Sequence, residues 1–94
     1  MNLDKSKKRI AKRAKMGFQG YPQISISYSG KTSNHADEVL VEFVLEEGAE
    51  TQHERFASKI DAREDEAIQS ALVKMIERSE AKTVVQVDGI IRTT

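Results

Sequence analysis

Cysteine and tryptophan are absent from this 94-residue chain, proline occurs once, and the aromatic residues are three Phe and two Tyr. Without cysteine there is neither a disulfide framework nor a thiolate zinc site, which fits a reducing compartment. No apolar run approaches the ~20 residues that span a bilayer. The positive N-terminus is not followed by the apolar stretch of about 7–15 residues that a signal peptide carries. A cytoplasmic protein is therefore expected, with a core of Val, Ile, Leu and Met.

Catalytic motifs are also missing. There is no G-x-S-x-G, no phosphate-cradling glycine loop and no H-E-x-x-H. Glu42, Glu46, Glu47, Glu50 and Glu54 make an acidic stretch without the spacing of a calcium loop. His35 and His53 lie beside Asp37 and Glu54, without zinc-ligand spacing. The residues point to no enzyme, no catalytic group, no metal and no cofactor.

What the chain does have is segregated charge. The net charge is zero, yet residues 1–15 hold Lys5, Lys7, Lys8, Arg9, Lys12, Arg13 and Lys15 against Asp4 alone. That segment carries +6 and the remainder −6. Such asymmetry points to a nucleic-acid, membrane or acidic-protein contact. An interfacial membrane helix needs a large apolar face, and this segment lacks one. Nucleic acid or an acidic protein surface is the expected partner, and the alternatives are a solubilising tail or a segment folded back on the acidic body.

Along the chain, residues 1–16 read as a basic arm and 17–94 as a single α+β domain. The arm is rich in helix formers, and Asp4 or Ser6 is placed to cap it. Its apolar stripe is only Leu3, Ile10 and Ala14, with Ala11 beside them. So thin a stripe predicts a fraying helix or a disordered tail. Gly17, Gly20 and Pro22 then break the chain. Ile24, Ile26 and Tyr28 alternate with Ser25 and Ser27, which predicts a half-buried strand. Glu38–Glu46 reads as a strand with Val39, Val41, Phe43 and Leu45 on one face. The apolar Leu40 and Val44 on its other face suggest a central place in the sheet.

A hairpin connection at Gly48 leads to a weaker strand, His53–Ile60, with Phe56, Ser58 and Ile60 inward. Asp61 and Glu64 resemble a capping box for an amphipathic helix whose stripe is Ile68, Ala71, Leu72, Met75 and Ile76. Thr83–Val87 is β-branched, and Asp88-Gly89 marks either a hairpin or a bulge in one bent strand. The expected fold is a small antiparallel sheet of three to four strands with one amphipathic helix on one face, preceded by the arm.

Three antiparallel strands followed by a capped helix, over residues 23–79, is similar in element order to double-stranded-RNA-binding domains and to the later part of ribosome-hibernation factors. Such RNA-binding domains grip phosphates with lysines at the start of their last helix, whereas this chain has Arg63-Glu64-Asp65-Glu66. Element order alone does not license function.

The function expected from the residues is a non-enzymatic binding module touching RNA or DNA phosphates through Lys7, Lys8, Arg9, Lys12, Arg13 and Lys15. Phe18 and Tyr21 are candidates to stack on unpaired bases. If all seven cations bound a single strand, log K would fall with log salt at a slope of roughly −5. Deleting the arm is expected to abolish binding and leave the fold intact. The alternative is a protein-interaction module, using an exposed sheet edge or arm-to-body contacts, with self-association into a homodimer.

Overall fold

The computed structural model describes residues 2–93. Its helices are α1 (Leu3–Lys15) and α2 (Glu66–Arg78), and its strands are β1 (Gln23–Gly30), β2 (Glu38–Val44), β3 (Gln52–Ala57) and β4 (Thr83–Arg92). A 3₁₀ turn, Ala62–Glu64, precedes α2. The strand order is β3-β2-β1-β4. β1 pairs antiparallel with β2 and parallel with β4, so the sheet is mixed rather than antiparallel. The reason lies in the connection: a crossover of a dozen or more residues, here containing the 13-residue α2, lets a returning strand run parallel to an earlier one.

Period-two alternation decides which side is buried. Along the pairing of β1 with β2, Ile24 stands opposite Phe43, Ile26 opposite Val41 and Tyr28 opposite Val39. These side chains pack with Val84 of β4, Ile10 of α1, and Ile68, Leu72, Val73 and Ile76 of α2 in one core cluster. Both helices thus cover the same face of the sheet. On the other face, Ser25, Ser29, Leu40, Glu42 and Val44 alternate outward. There Glu38 meets Arg55 of β3 at 2.8 Å, and Glu42 meets His53 at 3.4 Å.

The N-terminal segment is a docked helix, not a loose arm. Ile10 is 0 % exposed, and Ser6, also fully buried, brings its hydroxyl within 3.4 Å of that of Ser70 on α2. One large apolar side chain and a close approach through a small one anchor α1, and side-chain contacts to α2 add to them. Asn2, rather than Asp4 or Ser6, caps the helix, accepting from the Lys5 backbone N–H at 2.9 Å. Asp4 lies in the first turn and Lys12, Arg13 and Lys15 in the last, matching the helix dipole. Gly17, at φ 71°, takes the left-handed position that ends the helix. The following turn is tied to the far end of the chain, because the Pro22 carbonyl accepts from the backbone N–H groups of Lys82 and Thr83.

Other boundaries also differ from expectation. β3 ends at Ala57, and Ile60 is exposed rather than inward. Ser58, two residues earlier, instead donates its hydroxyl to Asp65 at 2.8 Å. Leu45 lies beyond the end of β2 and is exposed. Asp61 caps only the 3₁₀ turn, while Asp65 caps α2, accepting from the Ala67 and Ile68 N–H groups. Residues 83–92 form one strand with a register shift: the step from Ile26 to Tyr28 in β1 is matched by the longer step from Gln86 to Ile90 in β4. Gly89, at φ 77°, supplies the left-handed backbone in that bulge.

Leu72 is fully buried where α2 meets the sheet. Leu72→Ala is expected to cost about 2–5 kcal/mol, read as a lower denaturant midpoint with an unchanged slope. Among the described residues, no helix is long and apolar enough to cross a membrane.

Candidate nucleic-acid interface

The docking of α1 sorts its cations into two sets. At about 100° per residue, burial of Ser6 and Ile10 turns Lys5, Lys8, Lys12 and Lys15 to the opposite side, and all four are exposed. Lys7 and Arg9 fall on the flanks, Arg13 lies on the packed side seven residues on from Ser6, and all three bind the protein itself. Lys7 Nζ donates to Glu64 Oε1 at 2.6 Å, and Arg9 Nη1 donates to Glu77 Oε1 at 3.0 Å. Arg13 donates to the Ala81 carbonyl. The four outward ammonium groups have no ion-pair or hydrogen-bond partner among the described residues. Lys5 to Lys15 spans about 15 Å along the helix.

The two aromatic candidates follow α1. Phe18 is 63 % exposed and meets half-buried Tyr21 edge to face, with ring centroids 5.3 Å apart. Their segment is fixed, since the Gln19 N–H donates to Thr83 Oγ1 at 2.8 Å and the Thr83 hydroxyl donates to the Gly20 carbonyl at 2.6 Å. Lys8, Lys12, Lys15 and Phe18 of the expected set are therefore open to a partner. Lys7, Arg9 and Arg13 are engaged within the fold, and Tyr21 is half covered.

A cleft of about 580 Å³ lies between α1 and the β4 bulge, its rim including Lys8 and Asp88 and its floor Tyr28, Gln69 and Gln86. Gln69, 1 % exposed, donates through Nε2 to the Tyr28 hydroxyl at 2.9 Å and to the Ala62 carbonyl at 3.0 Å. Burial pushes the Tyr28 phenol above its ordinary pKa, opposed by hydrogen bonding to Gln69 and Gln86. Of these floor residues the strand alternation marks Tyr28 as inward, whereas Gln69 and Gln86 do not stand out in the sequence. Gln69 sits beside Ile68 on the apolar stripe, which is the only local signal of its burial.

Arg63, also at the cleft, is held by Asp61 through Nε at 2.9 Å and Nη2 at 2.6 Å. That hydrogen bonding is the main cause of an Asp61 pKa lowered to about 2 from 3.8. Because the folded-state pKa is depressed, the stabilisation is complete above the unfolded value and disappears as pH falls from about 4 to about 2. Thermal melts across that range should show a smaller acid-induced loss for Asp61→Asn than for the parent, from a lower starting stability.

The start of α2 offers no cationic grip: Glu64 is paired with Lys7, and Asp65 and Glu66 follow. His35 Nδ1 lies 3.0 Å from Asp37 and His53 Nε2 lies 3.4 Å from Glu42. Among the described residues, no group of three or more His, Asp or Glu is arranged to hold a metal. Compared with family models, with curated proteins and with solved structures, the chain matches none.

Proposed function

We infer that this chain is a non-enzymatic module that binds RNA or DNA phosphates through the outward face of α1. The observation that carries this reading is the row of Lys5, Lys8, Lys12 and Lys15, four exposed ammonium groups without a partner among the described residues. Lys7 and Arg9 are already paired with carboxylates and Arg13 is held by a backbone carbonyl, whereas these four are available to displace counterions from a polyanion. Phosphate contacts position a strand without reading its sequence. With four contacts in place of seven, the salt slope on a single strand is about −3. A fluorescence-anisotropy titration at several salt concentrations tests this, and affinity independent of salt would sink it.

A second reading rests on β4. It is an edge strand, and Val85, Val87 and Ile91 are exposed on it. Such an edge can pair with another chain, including a second copy. Sedimentation at high concentration and low salt separates the readings, since a strict monomer argues against self-association.

A further inference from the structure

We propose that the cleft beside α1 receives an unpaired nucleobase with its amine at the 4- or 6-position, cytosine or adenine, from a strand whose phosphates follow the lysine row. This rests on the phosphate-binding reading above. Lys8 belongs to both features, lying in the outward row and on the cleft rim, so a backbone held on the row passes the cleft mouth. The volume of about 580 Å³ falls within the range of small-molecule sites.

The polar groups at the cleft suit an amino-bearing base edge. Asp88 is exposed, on the bulge, and its carboxylate has no hydrogen-bond or ion-pair partner among the described residues. A carboxylate accepts from cytosine N4, and a glutamine amide pairs with adenine N6 and N7. Gln86 supplies that amide with the atoms that its hydrogen bond to the Tyr28 phenol leaves free. Thymine presents an O4 acceptor at the corresponding edge, which Asp88 repels; Lys7 and Arg63 also line the cleft but are held by Glu64 and Asp61. Val87 and Ala11 line the same cleft and give its walls apolar surface for the flat face of a base. The bulge borders the opening: Val87, Asp88 and Gly89 line the cleft and have no partner in the ladder with β1.

The test compares oligo(dC), oligo(dA) and oligo(dT) of equal length, by anisotropy at matched salt, with the parent, Asp88→Asn and Gln86→Leu proteins. The parent should bind oligo(dC) and oligo(dA) at least about five-fold more tightly than oligo(dT). Asp88→Asn should bring the dC/dT ratio close to one, and Gln86→Leu the dA/dT ratio, with the salt slope retained. Removing the Asp88 charge also strengthens phosphate contacts generally, so the ratio and not the affinity is the readout. Equal affinities with a normal salt slope overturn the base pocket and leave the phosphate reading standing. Absence of salt-dependent binding to every strand overturns both.

Discussion

Removal of residues 1–16 is expected to unfold the protein. The deletion takes away Ile10, fully buried in the shared core, and with it the packing of α1 against α2 and β4. Truncation of a buried Ile to Ala alone costs about 2–5 kcal/mol, and small domains hold about 5–15 kcal/mol in total. Loss of the whole helix also strands Glu64 and Glu77 without their cations. The truncated chain should show no cooperative thermal transition by circular dichroism. A sharp transition within a few degrees of the parent would mean that α1 is a dispensable arm. Ile10→Ala provides the graded version, with an expected loss of about 2–5 kcal/mol. For this reason a truncation cannot serve as the binding test.

The substitution that can serve is Lys5, Lys8, Lys12 and Lys15 to Gln together. These side chains face solvent, so each change should cost within about 0.5 kcal/mol, with about 0.3–1 kcal/mol more where Lys12 and Lys15 leave the C-terminal end of the helix dipole, and the domain should stay folded. The salt slope should fall from about −3 towards zero, and with it the roughly 50-fold loss of affinity between 50 and 200 mM salt that such a slope implies. Lys7→Gln and Arg9→Gln should behave in the opposite way. Each breaks an exposed ion pair worth about 0.2–1 kcal/mol and leaves the slope nearly unchanged. Retention of the full slope by the four-lysine variant would remove α1 from the interface.

Local pattern made part of this fold legible. The alternation of Ile24, Ile26 and Tyr28 marked β1 and its buried side, and Leu72 and Ile76 marked the inner face of α2. Contacts between distant residues made the rest illegible. The docking of α1 depends on Ser70, Glu64 and Glu77, more than fifty positions away in sequence. The parallel pairing of β4 depends on where α2 returns the chain, which no local pattern states. Gln69 is buried because Tyr28 lies opposite it, and neither residue announces the other.

The candidate interface was legible in its chemistry but not in its division. The cationic run was plain, yet its split into internal and outward sets needs the buried face of α1. Ile10 fixes that face once the helix is taken as docked, and the helical period then places Lys5, Lys8, Lys12 and Lys15 opposite.

The strand order has a consequence for the time course of folding. β1, the first strand in the chain, sits between β2 and β4, so it acquires its second neighbour from the last. The turn at Pro22 is likewise completed by Lys82 and Thr83. Closing such long loops is entropically costly before the contacts they bring are made, and topologies of this kind fold slowly for their size. Until β4 arrives, one edge of β1 stays open, and a chaperone or a second chain can occupy it first.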